Sequence, residues 1–459
     1  MLFNSQVFIF GFLPATLAGY YLLAGSRTWR QVWVIVASLG FYGYWDIRFV
    51  PLLVGLTLAN WLLAGWFGRT GQRWVTALGI ALNLSVLALF KYADFLRGTV
   101  FGVAGADWQP WQLILPLGIS FFVFQKISYL MDLRRGDRHI YGFLDFWMFV
   151  TFFPQLIAGP LVRHNEIIPQ FQRDPRGADA WENLGRGLVL FIIGLAKKVA
   201  IADTLAQLAD PAFQLAATTD LSAAQAWVGG MAFTFQLYFD FSGYSDMAIG
   251  LALMFGLKLP INFNSPYQAV SCRDLWRRWH ITLSRFLRDY LYVPLGGSRV
   301  GEIRQVGNVV LTMLLGGLWH GANWNCVAWG GLQGLGLAVN HVWDRTGIKL
   351  PRLLGWALTF FFFFLTLMVF HSPGFGAAGR FLLALTGAHG LGHVTLDREH
   401  TAALLGAAAL AFFGISSQEI ALKRLRPRTW MAWPAGALAI WVVLLTGGRL
   451  ETVFFYFQF

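Results

Sequence analysis

The stretch FVPLLVGLTLANWLLAGWFG, from Phe49 to Gly68, decides the fold class of this chain because it contains no charged residue. An α-helix of roughly 20 apolar residues crosses the hydrocarbon core of a bilayer. Similar runs recur along the sequence, such as VFIFGFLPATLAGYYLLAG (Val7 to Gly25) and FFFFLTLMVF (Phe361 to Phe370). The sequence therefore predicts an all-α polytopic membrane protein with roughly ten to twelve transmembrane helices.

The composition agrees with a membrane location. Of the 459 residues, 56% are hydrophobic and only 13% are charged, whereas about 25% of the residues in a soluble domain are charged. We expect a single integral membrane domain over residues 1–459, with peripheral spans in 1–110, a catalytic core in 111–345 and C-terminal spans in 346–459. The first apolar run lacks a basic leader and reads as a first span rather than a signal peptide.

The net charge of +12 is concentrated in short loops. Examples are the turn from Arg69 to Arg73, LRRGDRH (Leu133 to His139) and KRLRPR (Lys423 to Arg428). The positive-inside rule predicts that these loops face the cytoplasm. The charge thus indicates topology and contact with membrane lipid, and we expect no nucleic-acid partner. The two cysteines, Cys272 and Cys326, predict no disulfide framework.

Glycine, proline and polar residues interrupt the apolar runs in the middle of the chain. The segments LPLGISFFVFQKISYLMD (Leu115 to Asp132) and FFPQLIAGP (Phe152 to Pro160) are examples. Irregular backbone at membrane depth is tolerated only where it is buried in protein or lines a water-filled cavity. We therefore expect re-entrant segments around a central cavity.

Two aspartates, Asp240 and Asp246, occur in the otherwise apolar run FQLYFDFSGYSDMAIGLALMFG (Phe235 to Gly256). A charged side chain at the bilayer centre costs about 2.5 to 3.5 kcal/mol on insertion scales. Two interpretations remain open. The carboxylates face a cavity, or they pair with basic residues between packed helices.

The segment SCRDLWRRWHITLSRFLRDYLYVPLGG, from Ser271 to Gly297, is too charged to cross the membrane. Its apolar residues recur at helical spacing and its arginines occupy the other face, which predicts a helix lying in the membrane interface and ending near the proline and glycines. Asp274 and Arg278 are placed for an i,i+4 ion pair. His280 borders the apolar stripe, and the pattern favours an interfacial histidine over a catalytic one.

His320 lies in LLGGLWHGANWNCVAWGG, from Leu314 to Gly331, where no neighbour in sequence is charged. Apolar surroundings favour the neutral imidazole, which accepts a proton. A packing histidine is the alternative. A metal site needs several convergent ligands, and HGLGH (His389 to His393) lacks the acidic companion of a zinc-protease motif, so no metal site is predicted.

These segments, together with FFPQLIAGPLVRHNEIIPQ (Phe152 to Gln170), INFNSPY (Ile261 to Tyr267) and a terminal FFYFQF (Phe454 to Phe459), follow one another in an order that resembles the membrane-bound O-acyltransferase superfamily. The resemblance is strongest to its bacterial alginate O-acetyltransferase-like branch. It extends from about Leu115 to Gly334 and returns at the terminal segment. The first hundred residues resemble the family only in hydropathy.

The resemblance implies a role for particular residues. His320 corresponds to the catalytic histidine of the superfamily, and His280 to its second active-site polar residue, and both are expected to meet in a tunnel through the membrane. Tunnel-lining or supporting roles are implied for Asp240, Asn323 and Trp319. Arg277 and Arg285 are candidates for binding the phosphates of the donor, although anionic lipid would suit them equally.

The resemblance also implies an activity. It is the transfer of an acetyl group from a cytoplasmic thioester, with acetyl-CoA as a substrate and no bound cofactor, to a hydroxyl of an exported polysaccharide such as alginate. Transfer is direct or passes through a periplasmic relay protein, and the enzyme is expected in the bacterial inner membrane. His320 would act as general base and His280 would orient the donor or polarise its carbonyl. Two departures from the family pattern, Gln333 in place of a histidine and His371 in place of an arginine, bear on the acceptor or on partner contacts.

Two other classes of function remain open from the sequence. A secondary transporter would also have broken helices with polar groups near the membrane midplane, but the two halves show no internal repeat. A noncatalytic membrane subunit of a polysaccharide export complex is the second alternative. The sequence does not identify the acceptor.

Overall fold

The computed structural model describes residues 1–426, 428–448 and 453–455, and the regular secondary structure in these ranges is helical. Within these ranges no β-strand occurs, so the predicted all-α class is confirmed. Pro427, inside the segment predicted to be cytoplasmic, and residues 456–459 of the FFYFQF segment lie outside the described residues.

The chain divides into two compact units. The first comprises Met1–Phe191, Met247–Pro260 and Arg426–Ala432, and the second comprises Ile192–Asp246, Ile261–Leu425 and Trp433–Phe459. The three-part division expected from the sequence, at about residues 110 and 345, stays a prediction.

The first unit contains most of the helices before residue 197. They are α1 (Leu13–Leu22), α2 (Arg27–Gly43), α3 (Val50–Thr70), α4 (Arg73–Leu87), α5 (Ala93–Ala104), α6 (Ile119–Arg134), α7 (Phe143–Thr151), α8 (Phe153–Leu156), α9 (His164–Ile167) and the greater part of α10 (Ala180–Ala196). Short π-helical turns precede α1 and α5, at Val7–Phe12 and Ala88–Tyr92, and 3-10 turns lie at Ile47–Phe49 and Ile168–Gln172.

The second unit carries the helices of the candidate site. They are α11 (Asp203–Thr218), α12 (Ala223–Met254, which ends in the first unit), α13 (Cys272–Arg278), α14 (Ile281–Leu287), α15 (Glu302–His320), α16 (Trp324–Arg345), α17 (Arg352–His371), α18 (Phe375–Leu385), α19 (Arg398–Phe413), α20 (Ser417–Glu419) and α21 (Ala432–Gly448). The π-helical turns of this unit are Lys197–Ala202, Arg288–Tyr292 and Ile420–Arg424, and a 3-10 turn lies at Pro266–Gln268. A further 3-10 turn, Thr429–Met431, belongs to the first unit.

Three helical segments in the described part of the chain are long and apolar enough to cross a membrane. They are Ile47–Thr70, Arg73–Ala104 and Arg352–His371. The pair Arg398–Phe413 and Ser417–Arg424, bent by 63°, passes the same test as one broken span. Other apolar helices, such as Val7–Leu22, are shorter. The ten to twelve transmembrane helices expected from the sequence therefore stay a prediction.

A glycine contact sets the distance between α15 and α16. A Cβ atom added to Gly317 would lie 2.9 Å from the Cα atom of Gly330, well inside van der Waals contact. Only glycine at both positions allows the two backbones to approach this closely. As a result, the end of α15, which carries His320, lies directly against α16.

The predicted continuous interfacial helix from Ser271 to Gly297 is wrong. The helix ends at Arg278 and restarts at Ile281, because the segment around Asn262 takes the hydrogen bonds that would continue it. The Asn264 N–H donates to the Arg278 carbonyl and the Ile281 N–H donates to the Asn262 carbonyl, both at 2.9 Å. The predicted ion pair between Asp274 and Arg278 is confirmed, at 2.9 Å.

Candidate active site

The structure brings together the two histidines that the sequence singles out. The ring centroids of His280 and His320 lie 6.4 Å apart, although the residues are 40 positions apart in the sequence. His320 is the last residue of α15 and His280 lies in the break between α13 and α14. Both side chains are buried. A substrate atom held between the rings would be within reach of both.

Aromatic rings form the surroundings of His320. The rings of Trp319, Trp329 and Phe370 lie 4.9, 5.2 and 5.9 Å from its centroid. These residues come from α15, α16 and α17. They exclude water from the imidazole, and electrostatic interactions are stronger where water is excluded.

His280 has a left-handed backbone conformation, with φ of 41° and ψ of 52°. This conformation costs a residue other than glycine about 1 to 2 kcal/mol. The break in the helix gives the side chain a direction that a continuous helix would not allow, toward the end of α15. The strain is therefore part of how the site is assembled.

A buried asparagine fixes the tautomer of His280. The Asn262 Oδ1 atom accepts from the Thr282 N–H at 3.3 Å and from the Thr282 hydroxyl at 2.9 Å, and it lies 3.1 Å from His280 Nδ1. A backbone N–H only donates, so this amide atom is the oxygen, and His280 Nδ1 must carry a proton to bond to it. In the neutral ring Nε2 is then an acceptor.

We expect replacement of Asn262 by alanine to slow the reaction at this site about tenfold. The variant loses the side-chain bonds to His280, Thr282 and Ser245 but keeps the backbone bond to Ile281. The bond that orients His280 contributes about 0.5 to 1.5 kcal/mol. Turnover of the purified enzyme measures the effect. Asn308→Ala is the control, because this buried amide bonds only to the Leu295 carbonyl in the described residues, at 3.0 Å. Equal rates for both variants would refute an orienting role.

Gln333, which the resemblance marks as a departure from the family pattern, forms hydrogen bonds in the wall of the site. Its Oε1 atom accepts from the Trp276 indole at 3.3 Å, and its amide nitrogen donates to the Thr366 hydroxyl at 2.7 Å. Trp276 in turn packs against Trp329, at 6.0 Å between centroids. The glutamine thus stabilises the second layer of aromatic residues around His320.

Asp240 and Asp246 both pair with lysines. Asp240 lies 2.7 Å from Lys198, and Asp246 lies 2.7 Å from Lys197. Lys198 also contacts Asp203, at 2.8 Å. The interpretation of the aspartates as partners of basic residues between packed helices is therefore confirmed.

Asp240 also lines a cavity of about 710 Å³ in the second unit. The walls carry Lys198, Asp203, Asp210, Gln236 and His371, with aromatic surface from Phe213 and Phe455. The N–H of Phe455 donates to the second oxygen of Asp240, at 3.0 Å. For Asp240 both interpretations from the sequence thus apply at once.

The other candidate residues lie as follows. Trp319 contacts both histidine rings, with its centroid 6.1 Å from His280. Asn323 is exposed, and its side chain caps α16 by accepting from the Cys326 N–H at 2.8 Å. Arg277 is exposed and Arg285 is half-buried.

Sequence reasoning missed Asn262, Trp329 and Lys198. Asn262 lies within the INFNSPY motif, but the motif does not reveal its partner. Lys197 and Lys198 are charged residues within an apolar run, and the same pattern identified the two aspartates as candidates. Matching the two lysines to the two aspartates would have predicted the pairs.

The sequence of the chain matches a known family of enzymes. The model of the MBOAT family, the membrane-bound O-acyltransferases, matches residues 65–374, which is more than half of the chain. The chain belongs to this family, and it is an acyltransferase.

Curated relatives cover most of the chain. A peptidoglycan O-acetyltransferase of Helicobacter pylori is 41% identical over 435 residues, which covers 87% of this chain and 82% of the relative. A probable alginate O-acetylase AlgI of Pseudomonas aeruginosa is 42% identical over 399 residues, which covers 84% and 75%. A teichoic acid D-alanyltransferase of Streptococcus thermophilus is 26% identical over 319 residues, which covers 68% and 72%.

Proposed function

We propose that this protein is an O-acetyltransferase that moves an acetyl group from acetyl-CoA in the cytoplasm to a hydroxyl of an exported polysaccharide. The acetyl-CoA is a substrate, and no bound cofactor is needed. Transfer is direct or passes through a periplasmic relay protein, across the inner membrane of a bacterium. The observation that carries the proposal is the pair of buried imidazoles 6.4 Å apart. The names of the relatives support acetyl as the group and a polysaccharide as the acceptor.

His320 is the general base in this proposal. Its imidazole takes the proton of the acceptor hydroxyl while the oxygen attacks the thioester carbonyl carbon. The tetrahedral intermediate collapses, the carbon–sulfur bond breaks, and the thiolate leaving group receives the proton from the imidazolium. General-base catalysis of this kind contributes about 10²- to 10⁴-fold.

His280 orients the acetyl donor through its Nε2 atom, which accepts a hydrogen bond in the neutral ring. Polarising the thioester carbonyl would require the protonated ring, because a carbonyl oxygen needs a donor. Asp240, Asn323 and Trp319 support the site and the tunnel that is expected to cross the membrane. Ten to twelve transmembrane helices would surround that tunnel.

The closing test uses the full-length protein in lipid vesicles. Labelled acetyl-CoA is supplied at one membrane face, and fragments of peptidoglycan or alginate, or a purified relay protein, are supplied at the other. We expect label on an acceptor hydroxyl. Accumulation of an intact substrate without acyl transfer would favour a transporter, and transfer that survives loss of both histidines would favour a noncatalytic subunit.

Replacing Arg277 and Arg285 with glutamine is expected to weaken acetyl-CoA binding and to reduce its dependence on salt, because screening acts on exposed charges. Titration calorimetry of the purified protein at two salt concentrations measures both effects. Arg304→Gln is the control, since Arg304 is an exposed arginine at the start of α15. Equal donor affinity in the double variant and the control would assign the two arginines to anionic lipid. No binding by the wild type would indicate an acyl-carrier protein as donor.

A further inference from the structure

The indole N–H of Trp329 is one of several buried side-chain groups that lack a hydrogen-bond partner among the described residues. The residue is 3% exposed, and its Nε1 atom has no hydrogen-bond partner among the described residues. The large majority of buried side-chain polar atoms in proteins are hydrogen-bonded, and an unbonded donor costs about 1 to 3 kcal/mol. An unsatisfied donor at this depth therefore calls for a reason.

Trp329 lies beside His320 in the candidate site. Its ring packs edge-on against His320, at 5.2 Å and an angle of 86°, and against Phe370 at 5.1 Å. The contact between Gly317 and Gly330, the residue after Trp329, holds α16 against the helix that carries His320. The unsatisfied N–H thus belongs to a side chain fixed beside the proposed base.

A neighbouring tryptophan shows the ordinary arrangement. Trp276 is buried to a similar degree, but its indole N–H donates to Gln333 Oε1 at 3.3 Å. This wall of the site therefore contains one tryptophan whose N–H is satisfied within the protein and one whose N–H is not.

The proposed chemistry needs a donor of this kind. Attack on a thioester moves negative charge onto the carbonyl oxygen, and buried N–H groups aimed at that oxygen stabilise it. His280 does not supply the donor as a neutral ring, because its single N–H group, on Nδ1, donates to Asn262 Oδ1. With His280 neutral, the hydrogen bond to this oxygen comes from another donor.

We propose that Trp329 is a catalytic residue whose indole N–H donates a hydrogen bond to the acyl carbonyl oxygen of the thioester. This inference rests on the proposed function. The bond strengthens as the oxygen becomes an oxyanion, so it contributes to the transition state more than to donor binding. Loss of one such donor lowers the rate about 10²- to 10³-fold.

The test compares two ways of removing the N–H. Trp329→Phe keeps an aromatic ring, and benzothienylalanine at position 329 keeps the indole shape with sulfur in place of the N–H. Single-turnover transfer from labelled acetyl-CoA gives the rate, calorimetry gives donor affinity, and the thermal unfolding midpoint gives stability. We expect both variants to lose about 10²-fold or more in rate, with donor affinity changed less than threefold.

Stability separates a catalytic role from a structural one. Trp276→Phe leaves Gln333 Oε1 without its donor and is expected to lower the unfolding midpoint. Benzothienylalanine at position 329 removes a donor that is unsatisfied in the described residues, so the midpoint should not fall. A wild-type rate in the benzothienyl variant would overturn the inference, and so would a loss of rate matched by a loss of stability. An inactive wild type would instead refute the proposed function itself.

Discussion

Replacing His320 with alanine is expected to slow acetyl transfer about 10³-fold, because the acceptor hydroxyl loses the base that takes its proton. The protein should still fold, since the aromatic rings of Trp319, Trp329 and Phe370 also pack against one another or against other side chains. Transfer of labelled acetyl groups by purified protein in vesicles, at equal protein content, measures the loss.

His393→Ala is the matched control. This histidine is exposed in the loop after α18, in the same unit as His320. We expect its rate to equal that of the wild type. If His320→Ala retained transfer within a few-fold of the control, His320 would not be the base.

Replacing Lys198 with methionine is expected to destabilise the protein by about 3 to 5 kcal/mol. The lysine and Asp240 have side chains only 3% exposed, and Asp203 is 11% exposed. Removing the shared cation leaves two buried carboxylates close together, and breaking a buried ion pair costs about this much. The thermal or denaturant unfolding midpoint in detergent measures the change.

Two variants bracket this prediction. Asp240→Asn leaves Lys198 paired with Asp203, so it should be less destabilising than Lys198→Met. Arg273→Met breaks the pair with Asp344, whose side chains are 43% and 45% exposed, and such pairs contribute at most about 1 kcal/mol. An effect of Lys198→Met no larger than that of Arg273→Met would show that the buried cluster tolerates the loss of its cation.

The fold class followed from the sequence because it depends on local hydropathy. A continuous apolar run such as Phe49 to Gly68 satisfies its own backbone hydrogen bonds in a membrane by forming an α-helix. The number of spans is harder to derive than the fold class, because π turns and bends divide the helices into shorter segments.

The candidate site was predictable in part. His320 is a candidate because no residue near it in the sequence is charged. The resemblance of the motifs to a known family then predicted that His320 and His280 meet in one site. The break at His280 was not predictable, because the helical spacing of tryptophans and arginines continues through it. The break depends on hydrogen bonds that Asn262 accepts and that Asn264 donates, and the spacing of residues in one segment does not reveal contacts with a distant segment.

Trp329 was hidden for a similar reason. A tryptophan in an apolar run reads as packing, and only the hydrogen bonds of the folded chain distinguish it from Trp276. Sequence patterns predict which side chains are buried. They do not predict which buried side chains have an N–H group without a hydrogen-bond partner.

The close approach of Gly317 to Gly330 has a consequence for motion. With no side chain between the two backbones, α15 and α16 have no compressible layer to slide over, so His320 and Trp329 should move as one rigid body. His280 is attached differently, because it lies in a strained break between two short helices and its side chain is held by a hydrogen bond to Asn262. Fluctuations that admit a substrate should therefore widen the gap between His280 and His320, while the distance from His320 to Trp329 stays constant.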